Sequence, residues 1–225
     1  MLSFLAVILL SYLLGSIPTS VWVGKIYKKV DIREHGSGNA GATNTFRVLG
    51  WKAGSVVALI DMTKGFVAAG YISTIAYTFG GVPETVGPWE TEIFIQLLAG
   101  MSAITGHMYP LYANFKGGKG VITAAGMLFA IEPISISIVL AVFLIVLGTS
   151  RYVSLSSIIA SLAYPITLLV MRYFIGMDID GSLIVLTSII ALFIVFKHKD
   201  NISRLLAGNE NRISSFSPAK GKLNE

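Results

Sequence analysis

The sequence contains no cysteine, which excludes disulfides, thiolate metal sites and a cysteine nucleophile together and leaves the redox compartment unmarked. Charge is also scarce. Only 13% of the 225 residues are Asp, Glu, Lys or Arg, against about 25% in an ordinary soluble domain, whereas 54% are hydrophobic. A soluble chain of this length could not leave so much surface uncharged, so much of it must face hydrocarbon. Common catalytic signatures are missing as well: there is no GxSxG and no HExxH. The fifth residue after His35, His107 and His198 is Ala40, Tyr112 and Ser203, never aspartate. A conventional nucleophile or a histidine–aspartate acyltransferase is therefore disfavoured. No metal site and no cofactor is expected.

Apolar stretches cover residues 2–23, 53–80, 93–112, 121–149, 152–175 and 182–196. The first has no basic segment before it and no small-x-small cleavage site, and reads as a retained helix rather than a signal peptide. The fourth would make a helix of roughly 43 Å, too long for a hydrocarbon core of about 30 Å. Glu132-Pro133 divides it, because proline lacks an amide donor and disfavours helix in the residue before it. The pattern therefore predicts an all-α, polytopic membrane protein with seven transmembrane helices, the N-terminus outside and the C-terminus in the cytoplasm.

Charge supports that count. The inside loops, 24–52, 113–120, 150–151 and 197–225, then collect every Lys and Arg except Arg172 and Lys64 of the second span, and the outside loops hold Glu84, Glu90, Glu92, Glu132, Asp178 and Asp180. The alternative is five spans with a re-entrant hairpin at 121–131, a segment short for a full crossing. Residues 1–206 read as one transmembrane catalytic domain and 207–225 as a polar cytoplasmic tail. The net charge of +5 follows from the inside loops and implies no nucleic-acid partner.

Polar chemistry gathers in three inside segments. In Gly36-Ser37-Gly38-Asn39-Ala40-Gly41-Ala42-Thr43-Asn44-Thr45-Phe46-Arg47, three glycines let amides turn toward one point. Ser37, Asn39, Thr43 and Asn44 add donors, and Arg47 adds a fork suited to phosphate. A polar membrane-edge turn with good helix caps is the plainer alternative. Lys116-Gly117-Gly118-Lys119-Gly120-Val121-Ile122-Thr123 is superficially like a nucleotide phosphate loop, but glycine follows Lys119 and no strand precedes it. Its two lysines before a short helix suit an anion, or simply orient the membrane helices. Lys197-His198-Lys199-Asp200-Asn201-Ile202-Ser203-Arg204 closes the last span, where lysines are expected of a positive stop but Asn201 is not.

Other residues carry weaker signals. Asp61 and Lys64, three apart in the second span, share a helix face as a functional or a structural pair. Ser154, Ser156 and Ser157 either offer a hydroxyl to the site or pack helices. Gly15-Ser16-Ile17-Pro18 reads as a kink at a close helix approach, and His107 as either an interfacial or a catalytic histidine.

Taken together, GSGNAGATNTFR, KGGKGVIT and HKDNISRLLAGNE, with GSIP in the first helix and DMTKG in the second, resemble the bacterial acylphosphate:glycerol-3-phosphate acyltransferases, the PlsY family. The resemblance runs from Gly15 to Glu210, with Ala40 where many relatives carry proline. It implies transfer of a fatty acyl group from long-chain acyl phosphate to the 1-hydroxyl of glycerol 3-phosphate, forming lysophosphatidic acid in phospholipid biosynthesis. The location implied is the bacterial inner membrane, with the site on the cytoplasmic side and membrane lipid around it.

On that resemblance Ser37, Arg47 and Lys119 are expected to bind glycerol phosphate, with Lys64, Lys116, Gly117, Gly118 and Arg204 completing the substrate site. Asn39, Thr43, Ser154, His198 and Asn201 are expected to hold the acyl phosphate or stabilise the reacting carbonyl oxygen. His107 or His198 could serve as base, but a substrate phosphate taking the proton is favoured. The alternative function is a transporter of a phosphorylated metabolite, which calls for matching halves and polar residues at the midplane; beyond Asp61 and Lys64 neither is visible.

Overall fold

The structure, a computed structural model, describes residues 2–78, 80 and 82–213; the expected tail beyond residue 213 lies outside the described residues. Helices dominate, as the apolar pattern predicts. The first apolar stretch is broken into α1 (Leu2–Gly15) and α2 (Thr19–Lys28) at Ser16-Ile17-Pro18. Pro18 cannot donate the amide that would continue the helix, so the GSIP segment is a real interruption. After α2 a short 3-10 turn, Ile32–Glu34, is capped by Asp31, whose carboxylate accepts the Arg33 amide at 3.0 Å. Two helices follow, α3 (Ala42–Leu49) and α4 (Trp51–Gly70), separated by Gly50.

A 3-10 turn, Ile72–Tyr77, and a two-stranded antiparallel hairpin, Thr85–Val86 with Trp89–Glu90, lead into α5 (Thr91–Met108). The long fourth stretch divides as predicted into α6 (Val121–Ile131) and α7 (Pro133–Ser150). Pro133 takes the first helical position, and the Glu132 side chain accepts the Ser135 amide at 3.1 Å, so the break serves as the N-cap of α7. Next come α8 (Val153–Val170), which contains Pro165 and ends in a π turn, and α9 (Gly181–Lys197), capped by Asp180. Finally α10 (Lys199–Leu206) leaves α9 at 57°.

Four helical stretches among the described residues are long and apolar enough to cross a membrane: Leu2–Lys28, Trp51–Tyr77, Pro133–Ser150 and Val153–Ile175. Counting α9 with α10 gives five. The difference from the expected seven comes from α5 and α6. The first is long enough but carries Glu92, Gln96 and His107, and the second spans only about 16 Å. Both sit inside the bundle, where neighbouring protein rather than lipid covers them, so neither needs to be apolar all round. Lipid-facing leucines and isoleucines such as Leu59, Ile145, Ile166 and Leu192 lie instead on α4, α7, α8 and α9.

Backbones approach most closely where glycine meets carbonyl. A Cβ on Gly126 of α6 would overlap the Met62 carbonyl of α4, and one on Gly65 of α4 would overlap the Thr123 carbonyl of α6. Gly15 and Gly106 fit α1 to α5 in the same way. Between membrane helices there is little hydrophobic driving force, so close van der Waals contact of this kind carries much of the association. Gly126→Leu should therefore lower the thermal midpoint of the protein in detergent, reflecting about 1–3 kcal/mol of overpacking or more. Gly148→Ala, where nothing lies within 4 Å, should leave it unchanged or slightly raised. Equal midpoints for the two variants would contradict the close α4–α6 crossing.

Candidate active site

The three polar segments meet at one end of the bundle. The first is shaped by Asn44, which is 1% exposed. Its Oδ1 accepts from the Ser37 amide at 2.9 Å, and its Nδ2 donates to the carbonyls of Ile32 at 3.0 Å and His35 at 2.9 Å. Gly36 and Gly38 adopt φ of 63° and 71°, conformations an L side chain rarely takes, and so the loop folds back over α3. Asn44 is thus spent on structure. The side chains of Ser37, Asn39 and Thr43 make no hydrogen bond among the described residues and remain available to a ligand. Arg47, one turn along α3, is half-buried beside Asn44 at 3.5 Å.

The second segment is laid against the end of α5. The Gly117 amide donates to the Met108 carbonyl at 3.2 Å and the Gly118 amide to the His107 carbonyl at 3.1 Å. A Cβ on either glycine would collide with His107. These glycines therefore bring the loop close, and their own amides point inward rather than at an anion. The loop separates its lysines. Lys116 is exposed and lines a cavity of about 400 Å³ with Asp31, Arg33, Glu34 and Gly38, whereas Lys119 is directed to Asn201 Oδ1.

The third segment folds back through Gly208 so that Glu210 enters the same cluster. Its carboxylate, only 5% exposed, accepts from Ser154 Oγ at 3.1 Å, Asn201 Nδ2 at 2.7 Å and Arg204 Nε at 2.7 Å. Burial alone would raise its pKa, but these hydrogen bonds and the Arg204 charge outweigh it and hold the group ionised. Glu210 closes the third motif but announces no role in sequence. Ser154 and Asn201 come together here, with Ser154 Oγ and Asn201 Nδ2 committed to Glu210.

His198 is buried, and its Nδ1 donates to the Ile194 carbonyl at 2.8 Å, since a carbonyl can only accept. Its Nε2 is therefore a bare acceptor. Burial and the nearby Lys119 ammonium pull its pKa down to about 4, so the ring is neutral and weakly basic. Lys64 lies elsewhere. It is 2% exposed inside the bundle, bonded to Asp61 Oδ1 at 2.7 Å and the Ile17 carbonyl at 2.5 Å. An apolar groove of about 470 Å³ starts at Phe46 and Val121, next to Arg47 and Lys119. Its lining also includes Met62, Phe143, Tyr164 and Ile194.

A family model described as glycerol-3-phosphate acyltransferase matches residues 5–208. The chain belongs to that family. Among its relatives, the glycerol-3-phosphate acyltransferase of Salinibacter ruber is 50% identical, covering 99% of this chain and 98% of its own. That of Chlorobaculum tepidum is 46% identical over 95% of this chain and 98% of its own. Two crystal structures of PlsY (YgiH), an integral membrane glycerol 3-phosphate acyltransferase, are 36% identical and cover 94% of this chain and 96% of theirs. The glycerol 3-phosphate form matches with a TM-score of 0.79 and the lysophosphatidic acid form with 0.77. The protein is thus a multi-pass membrane acyltransferase.

Within the polar cluster of this acyltransferase, Lys119 is a cation that can lose its charge near neutrality. Burial lowers its pKa to about 8, a shift that Glu210 opposes and Arg204 reinforces. The ammonium is present below that value and lost above it, while Arg47 stays charged throughout. With glycerol 3-phosphate as the varied substrate, kcat/KM should fall about tenfold per pH unit above pH 8. Lys119→Arg should remove that alkaline limb. An identical limb in the variant would contradict the assignment.

Proposed function

We propose that the enzyme transfers a fatty acyl group from a long-chain acyl phosphate to the 1-hydroxyl of glycerol 3-phosphate, giving lysophosphatidic acid and inorganic phosphate. One observation carries the reading. Arg47, Lys119 and Arg204 converge where an apolar groove opens, a combination that suits an anionic head beside a long hydrocarbon tail. The groove lies along α6 from Val121 to Phe129, about 12 Å, and takes the start of the acyl chain.

In this reading Ser37, Arg47, Lys119 and the free guanidinium nitrogens of Arg204 hold the glycerol phosphate. Asn39 and Thr43 face the acyl phosphate. Ser154 and Asn201 position the cluster through Glu210, Gly117 and Gly118 shape the loop, Lys116 attracts anions from its outer side, and Lys64 is structural. The glycerol hydroxyl oxygen attacks the acyl carbonyl carbon, the new ester bond forms, and the bond from that carbon to the phosphate oxygen breaks. The hydroxyl proton passes to phosphate. Phosphate, with a second pKa of about 6, is a stronger base than His198 at about 4. His198 Nε2 can still accept a hydrogen bond from the hydroxyl and orient it.

The arrangement proposed for the membrane is seven segments within a single domain, residues 1–206, followed by a polar tail. The N-terminus lies outside, and the site faces the cytoplasm of a bacterial inner membrane. Support comes from the concentration of Lys and Arg on the face that carries the motifs and from the position of α5 and α6 inside the bundle.

Purified enzyme in detergent, given acyl phosphate and glycerol 3-phosphate with no other factor, should form lysophosphatidic acid and one inorganic phosphate per product. Acyl-CoA and acyl-carrier protein should not substitute. Product from acyl-CoA and none from acyl phosphate would overturn the donor.

A further inference from the structure

Beneath the glycine loop lies a charged cluster that the chemistry above does not use. Asp61 and Lys64 on α4 are each 2% exposed, and Asp61 Oδ1 is the meeting point. It accepts from Thr19 Oγ1 at 2.9 Å and Lys64 Nζ at 2.7 Å, and it faces His107 Nδ1 at 3.7 Å. Lys64 also donates to the Ile17 carbonyl at the break between α1 and α2. Ionised groups at membrane depth are expensive, and a close-packed apolar contact would hold these helices at least as well. The cluster is therefore expected to set a geometry rather than to add stability.

That geometry leads to the loop. His107 stands between Asp61 and the loop, with Nδ1 toward the carboxylate and Nε2 against Gly118. A Cβ at Gly118 would overlap Nε2 and come within 3.0 Å of the Ala40 carbonyl in the first motif. The His107 carbonyl accepts the Gly118 amide at 3.1 Å, and the next residue along the loop is Lys119. Asp61, His107, Gly118 and Ala40 form one contiguous stack, so a change in the ring's tilt displaces the loop and with it the Lys119 ammonium.

We propose that His107 is a positioning residue: held by Asp61, its ring fixes the glycine loop so that Lys119 meets the phosphate of glycerol 3-phosphate. This rests on the reading that Lys119 binds that phosphate. The role requires no contact between His107 and a reacting atom: Nδ1 faces Asp61, and Nε2 lies beside Gly118.

The test uses full-length enzyme purified in detergent, with steady-state kinetics in glycerol 3-phosphate and the thermal midpoint of each variant. His107→Ala and Asp61→Asn should each raise KM for glycerol 3-phosphate about tenfold, the scale of one misplaced charged contact, with kcat changed by less than about threefold. His107→Gln, which keeps bulk and a polar end against Gly118, should recover most of the loss. The double variant should be no worse than the poorer single one, because both act through one path. A lowered kcat at unchanged KM would overturn the proposal, as would unaltered kinetics per folded molecule in Asp61→Asn and His107→Gln. Lys119→Ala separates the premises. If it leaves KM unchanged, the phosphate assignment fails; if it raises KM and the His107 variants do not, the positioning role alone fails.

Discussion

One carboxylate ties the start of α8 to the third motif and, through Asn201, to the glycine loop. Glu210 takes hydrogen bonds from Ser154 at the start of α8, Asn201 in α10 and Arg204 one turn later, while Asn201 in turn accepts from Lys119. Without that anion, the cations gathered here would repel one another in a half-buried, weakly solvated place. With it, the start of α8 and α10 are tied to the glycine loop, and each donor has a defined direction. Removing the charge would leave buried donors unpaired, which is more costly than never having placed them there.

The bundle serves this cluster by constraint as much as by contact. A bilayer offers no water to backbone amides and carbonyls, so irregular chain is confined to the membrane faces or to protein interior. Loops rich in glycine and asparagine therefore collect at one end, and α6 can be short because α4, α5 and α7 surround it. The glycine–carbonyl contacts of α4 with α6 and of α1 with α5 bring these helices close enough to support the loops from below. The groove between α4, α6 and the later helices then opens beside the cations, placing a greasy channel and an anion site within one residue of each other at Phe46-Arg47.

Much of this could be read from residues. Composition gave the membrane setting, Glu132-Pro133 located the α6–α7 break, and Pro18 the break between α1 and α2, because proline acts through local covalent chemistry that needs no tertiary context. The three motifs drew attention because glycine, asparagine and cationic residues cluster in them. What escaped was long-range. Asn44 looked like a ligand donor and is a staple, because its partners Ile32 and His35 are defined only by the folded loop. Lys64, expected at the substrate site, bonds Asp61 and the Ile17 carbonyl inside the bundle, partners that spacing alone does not name. Glu210 carried no local signal at all. Nor did sequence show that the two lysines of the glycine loop point in different directions.

Binding of the acceptor alone tests the account most directly. Calorimetric titration of glycerol 3-phosphate into purified enzyme, without donor, isolates the anion site from the chemistry. Binding should be saturable, weaken with added salt and fall at least about a hundredfold in Arg47→Ala/Lys119→Ala, as expected when two charge-assisted contacts are lost. Undiminished affinity in that folded double variant would contradict the phosphate assignment.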